Sequence, residues 1–197
     1  SRCISSLGLR ELAREAALNP NTFYRHFRNM DDLGLQLLRE GNDRLRGPLR
    51  ALRRQAAQQS IADNTTDSTQ EAALRGRRVA QQTVKLYFDY VLEHRDSVVI
   101  AGRELHGPSE LLRAELREQM NGFAEDMAAD IQELGLAPSS ISAARINQIA
   151  ALLSRNLFHL SLDFIAEPER RDNILELAHE QIIMLFAGAS VLQDIAG

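Results

Sequence analysis

From Pro108 onward, apolar residues return every three or four positions: Leu112, Leu116, Met120, Phe123, Met127, Ile131 and Leu134. Steps of that size put all seven on one face of an α-helix. Pro108 suits the opening turn, and Gly135 with Pro138 just beyond it stops the run. The next stretch, with Ser139 or Ser140 as its expected cap, carries two stripes. Ile149, Leu153, Leu157, Leu160 and Phe164 form one, and Leu152, Phe158, Leu162 and Ile165 form the other. Glu167 and Pro168 end it. A last helix, starting near Pro168, carries Leu175, Ala178, Ile182, Leu185, Ala189 and Leu192. The two terminal helices have more apolar face than one core needs, so an antiparallel hairpin packed on its twin is expected, a four-helix bundle across a two-fold axis. Alternating valine-rich runs are nearly absent, and an all-α fold follows.

Upstream, the polar stretch from Ser60 to Thr69 reads as a loop or linker with little to bury. Val84, Tyr87, Phe88 and Val91 then share a helical face that ends near His94. Ser97 is the expected cap of a short helix to about Leu105, and Gly107 and Pro108 turn the chain. Charge is segregated along the sequence. The 23 basic and 27 acidic residues give −4 overall, but residues up to Gln59 hold 11 Arg against 6 acids, a net of +5, and the remainder carries −9. That asymmetry suits a segment meant for a polyanion joined to a body that does not touch it.

Several chemistries lose support. Cys3 is the only cysteine, which excludes an intramolecular disulfide and a cysteine-based zinc cluster and fits a reducing cytoplasm. His26, His94, His106, His159 and His179 show no HExxH or paired ligand spacing, so neither a metal nor a resident cofactor is expected. GxSxG, P-loop and GxGxxG patterns are absent, and the chain is read as a non-enzyme. No uncharged apolar run approaches 18 residues, and Arg2, Arg10, Glu11, Arg14 and Glu15 occupy the start. A membrane span or signal peptide is therefore not expected.

The segment that points to a function lies near the N-terminus. Leu9, Leu12, Ala13 and Ala16 fall on one side of a short helix. Asn19 and Pro20 then supply a cap and a first-turn proline, and Phe23 and Phe27 lie four apart on the inner face of the following helix. Two short helices with a tight turn describe a helix-turn-helix. With the phenylalanines inward, Asn21, Thr22 and Arg25 are the candidates for base reading, and Tyr24, His26 and Arg28 suit phosphates. The basic end makes residues 1–46 the expected DNA-binding domain and 47–197 the helical body.

Leu9-Arg10-Glu11-Leu12-Ala13, then Leu18-Asn19-Pro20-Asn21-Thr22-Phe23-Tyr24-Arg25-His26-Phe27, then Asp31-Asp32-Leu33, resembles the DNA-binding signature of TetR-family transcriptional regulators. The stretch from Phe23 to Leu35 is closest to the fatty-acid synthesis and desaturation branch, the FabR/DesT-like repressors. The motif spans about 45 residues, and elsewhere only length and helical organisation agree. The resemblance implies a cytoplasmic homodimer on a palindromic double-stranded operator, and an effector-binding helical domain responsive to a long-chain acyl thioester, an acyl-CoA-like ligand. Three positions depart from the pattern. Ala17 replaces the usual turn glycine, Gly8 the usual Ser or Thr cap, and Met30 a phosphate-contacting lysine. The chain starts just before the second family helix, so the resemblance implies an upstream extension.

In the body, Val84, Phe88, Val91, Ile100, Met120, Phe123, Met127, Leu153, Phe158 and Leu162 are the candidate lining of an apolar effector cavity, because Met and Phe adapt to a flexible chain. Arg103, His106 and Arg113 flank the turn at Gly107 as candidates for an anionic head group. Two other readings remain at this stage: a helical lipid-binding or carrier protein whose basic end meets an acidic partner, and a drug-sensing regulator of the same family.

Overall fold

The computed structural model describes residues 3–62 and 69–196. Among them are eight α-helices and no strand. A 3-10 turn at Ile4–Ser6 precedes α1 (Leu9–Glu15), α2 (Pro20–His26), α3 (Met30–Ala62), α4 (Thr69–Glu93), α5 (Arg95–Glu104), α6 (Glu110–Glu133) and α7 (Ala143–Ala166). A second 3-10 turn, Pro168–Arg170, leads into α8 (Arg171–Ala196). Two compact units divide the chain. The first comprises residues 1–44 and 94–119, the second 45–93 and 120–197. One division between the units falls inside α3, after Arg44, and α5 with the first part of α6 belongs to the N-terminal unit.

Several helix ends differ from the sequence reading, each for a local reason. Ser142 caps α7, its side chain accepting from the Arg145 N–H, so Ser139 and Ser140 stay in the preceding turn. His94 precedes α5 and Ser97 lies inside it. Ser109 caps α6 by accepting from the Leu112 N–H at 3.3 Å, which leaves Pro108 outside the helix. The linker expected from Ser60 to Thr69 is helical at both margins, since α3 reaches Ala62 and α4 starts at Thr69; residues 63–68 lie outside the described residues. At the end of α6 the stop is the expected one: Gly135 has φ +58°, a left-handed conformation that glycine adopts without strain.

The core of the second unit gathers Ala56 and Ala57 of α3, Val79 of α4, Ala124, Ala128 and Ile131 of α6, and Ile146, Ile149 and Leu153 of α7. Gly76 of α4 lets its helix come close to the chain after α6, where a β-carbon would overlap the Leu136 carbonyl. Helix α7 buries one of its two stripes, through Ile149, Leu153, Leu160 and Phe164, and leaves Leu152 exposed on the other. Two apolar faces also make α7 and α8 long and apolar enough on average to cross a membrane, although each carries charges and contributes to the packed core.

Within the second unit, α3 and α6 are also joined by charge. Arg46, Arg50, Arg53 and Arg54 line one side of α3, and Asp126, Asp130 and Glu133 the facing side of α6. Arg46 grips Asp126 through Nε and Nη2. Arg53, almost wholly buried, donates from Nε to Asp130 Oδ2 at 2.7 Å and places Nη2 2.6 Å from the same oxygen. The guanidinium groups of Arg50 and Arg54 stand 3.5 and 3.8 Å from Asp130 Oδ1, in ion-pair rather than hydrogen-bond range. Burial pushes the Arg53 pKa down, and the carboxylate of Asp130 opposes it. Burial also raises Asp126, but the Arg46 hydrogen bonds and the charges of Arg46, Arg50 and Arg53 outweigh it, so that carboxyl titrates below its ordinary range.

Removing one partner of a buried pair strands the other charge. Asp130→Ala is expected to lower the unfolding free energy by about 3–5 kcal/mol in urea titrations, whereas Lys85→Ala, in an exposed pair with Asp89, costs less than about 0.5 kcal/mol. A carboxyl held lower in the folded than in the unfolded chain adds stability that is complete above its unfolded pKa, about 3.9, and is lost as the pH falls through its native value. Urea midpoints of the wild type therefore fall on acidification below about pH 4, and Asp126→Asn, already weaker at neutral pH, shows a shallower fall.

Candidate nucleic-acid interface and effector cavity

The N-terminal unit builds its head from short, tightly capped helices. Gly8 precedes α1 in an extended conformation and offers no side-chain cap. After α1 the chain reverses through Ala17, whose φ of +53° makes it the one non-glycine residue with positive φ among those described. The Leu18 N–H reaches the Ala13 carbonyl at 2.8 Å across this turn. A β-carbon in the left-handed region costs roughly 1–2 kcal/mol, so the turn is held by its flanks. On one side Ala13 is buried; on the other Asn19 Oδ1 accepts from the Asn21 N–H at 2.9 Å, and Pro20 occupies the first turn of α2.

Helix α2 is anchored by its aromatic residues. Phe23 is buried, its ring 5.2 Å from that of Phe27 and edge-on to Tyr24 at 5.9 Å. The opposite side is open. Asn21, Tyr24, Arg25 and His26 are exposed along α2, Arg28 is exposed just beyond it, and Tyr24 retains 62% of its accessible surface. Thr22 is half-buried at the edge of that face, because it adjoins the inward Phe23.

The junction to α3 is a reciprocal cap that spacing had not revealed. Asn29 Oδ1 accepts from the Asp32 N–H at 2.8 Å, and Asp32 Oδ2 accepts from the Arg28 N–H at 3.0 Å. The end of α2 is thereby tied to the start of the next helix, with Arg28 positioned by its own backbone. Met30 opens α3, half-buried. A contact that sequence reasoning missed joins positions a hundred residues apart. The carboxyl of Glu104, fully buried, accepts from the Ile4 N–H. Lower in the same unit, Arg39 of α3 donates to Glu115 of α6 at 2.8 Å. Burial raises the Glu115 carboxyl, but hydrogen bonds from Arg39 and Gln119 outweigh this and hold it low.

Residues 2–37 match the family model for bacterial regulatory proteins of the tetR family. The match supports a TetR-family, DNA-binding transcriptional regulator. It covers α1, α2 and the start of α3, the stretch that includes the open polar side of α2.

The second unit holds a cavity of about 380 Å³. Val84, Met127 and Leu153, three of the residues expected to line one, are on its wall. Leu74, Ile182 and Phe186 join them, and so do Arg53 and Arg77, which apolar spacing had no means to select. The other expected residues are elsewhere. Phe88 borders a second pocket of about 440 Å³, beside Lys85, Asp89, Glu176 and His179. Burial and the nearby Arg77 charge lower the His179 pKa there. Val91 is fully buried, Met120, Phe123, Phe158 and Leu162 are half-buried outside the described lining, and Ile100 belongs to the first unit. Arg103, His106 and Arg113 also belong to the first unit, where Arg113 Nη1 donates to the Gly107 carbonyl.

The left-handed Ala17 yields a measurable expectation. Ala17→Gly removes the β-carbon strain at the cost of a more flexible unfolded chain, for a net gain of roughly 0.5–1 kcal/mol. Thermal unfolding should shift upward accordingly, with the affinity of the head for DNA retained.

Proposed function

We propose that this chain is a repressor of the fatty-acid branch suggested by its Phe23-to-Leu35 motif, a cytoplasmic homodimer that binds a palindromic operator under control of a small hydrophobic effector. The observation that carries the reading is the open polar face of α2. Asn21 and Thr22 stand in the first turn of the candidate recognition helix and Arg25 one turn further along it, a row suited to base edges in the major groove. Tyr24, His26 and Arg28 lie where hydroxyl, imidazole and guanidinium donors meet phosphates. Phe23 and Phe27 pack together on the other side of α2, so the backbone that carries that face is already folded before binding.

Dimerisation is supported by the outer side of the C-terminal hairpin. Leu177, Met184 and Val191 recur at intervals of seven along α8, and all three are exposed in the single chain, as is Leu152 on α7. A seven-residue apolar seam on a helix is suited to another helix. Two such hairpins packed across a two-fold axis give a four-helix bundle and present two recognition helices to one duplex. The cavity in the second unit supports an effector with an apolar body; the acyl part of a thioester is the candidate that the motif suggests. An effector regulates only if it binds the DNA-competent and DNA-incompetent conformations with different affinity.

Fluorescence anisotropy with a duplex selected from a random pool tests this reading. Affinity for the selected duplex is expected to exceed that for its scrambled counterpart and to fall at least roughly ten-fold between about 50 and 200 mM salt. Tyr24→Ala should weaken binding to both duplexes alike, and Arg25→Ala should erode the preference between them. Equal affinity for selected and scrambled DNA in the wild type overturns the assignment. In sedimentation runs, Leu177→Glu combined with Met184→Glu should convert the dimer to a folded monomer.

A further inference from the structure

We propose that the cavity of the second unit takes an amphipathic monoanion, a carboxylate on an aliphatic or aromatic body, with its head group held by Arg53. This rests on the reading of the chain as an effector-responsive regulator, and it replaces the acyl thioester suggested by the motif with a free carboxylate. The wall of the cavity is almost wholly apolar, and among its described residues the only charged ones are Arg53 and Arg77; both are cations. An apolar ligand would be served equally well by a wall without them, and a cationic ligand would be repelled.

Arg53 is placed to receive an anion. It is almost wholly buried, where an added carboxylate is screened little by water. Asp130 engages its Nε and Nη2, which leaves Nη1 for a second acceptor. Arg77 is exposed and also lines the cavity, where its charge adds positive potential. Size sets the scale of the part of the body that the cavity encloses. A 150 Å³ cavity holds benzene, so about 380 Å³ corresponds to roughly 12–15 heavy atoms.

The same geometry links the ligand to α3. Arg53 belongs to the helix that starts at Met30, directly after the cap that ties α2 to it. A carboxylate at Arg53 shares a guanidinium that otherwise serves Asp130 alone, and so alters the α3 to α6 junction at its most buried pair.

Calorimetric titration of the full chain with octanoate and with 1-octanol at pH 8, where the acid is ionised, tests the proposal. Octanoate is expected to bind at least ten-fold more tightly than the alcohol. Arg53→Gln alone strands a buried carboxylate and risks unfolding, so the discriminating variant is Arg53→Gln with Asp130→Asn, checked for helicity by circular dichroism. It should bind the alcohol as the wild type does and lose the preference for octanoate. Arg77→Gln, on an exposed side chain, should weaken octanoate several-fold and leave the alcohol unchanged.

Equal affinity of the wild type for both probes overturns the anion assignment while leaving an apolar effector cavity in place. A preference that survives in the folded double variant also overturns it, since the head group then lies elsewhere. Failure of both probes to bind, as when a second copy of the chain fills the cavity, overturns the proposal together with the effector reading. Operator binding, measured separately, stands or falls on the α2 face.

Discussion

A guanidinium buried in a protein must meet a carboxylate, and the body of this chain is arranged around one such meeting. Arg53 of α3 and Asp130 of α6 are both withdrawn from water, and neither is tolerable there without the other. Their pairing joins two helices that also contribute small residues, Ala56 and Ala57 of α3 and Ala124 and Ala128 of α6, to one core cluster. Arg46, Arg50 and Arg54 extend the contact over successive turns toward the surface, so that one face of α3 is committed to α6 along its second half. Hydrophobic burial supplies the driving force, and the ladder keeps the buried charges of both helices paired.

The N-terminal head is organised on a smaller scale and by different means. Its helices are too short to be stable alone, and each is held by its ends. Asn19 and Pro20 start α2, Phe23 and Phe27 hold it down, and Asn29 with Asp32 locks its end to α3. Ala17 sits between the two helices in a conformation that it adopts only because both neighbours are fixed. Strain in the turn and rigidity of the exposed face are two consequences of the same packing. A face of donors presented without its own side chains folding back on it is what reading a duplex requires.

Much of this was legible beforehand, and what was legible has a common cause. Helical spacing, capping residues and turn residues act within a few positions of one another, so the helices, the left-handed Gly135 and the inward Phe23 and Phe27 follow from neighbours in the chain. Precise caps were harder. Ser139, Ser140 and Ser142 are chemically equivalent, and only the path of the backbone after Ile141 decides that Ser142 meets the next helix. The apolar cavity was the least legible feature. Phe88 and Met127 carry the same apolar signal, yet one borders a charged pocket and the other an apolar cavity.

What the sequence determined by itself is local: an all-helical chain, a helix-turn-helix near its start with Asn21, Tyr24, Arg25 and Arg28 on the outward side, and a charge imbalance favouring a polyanion at that end. What only the tertiary structure decided is which distant groups share a space. That Glu104 receives the Ile4 N–H, that four arginines of α3 face three acids of α6, and that Arg53 enters an apolar wall are facts about helices brought together from far apart in the chain. A charged residue carries the same pattern signal whether it points to solvent or to a buried partner, because periodicity reports the face of a helix and not what lies opposite it.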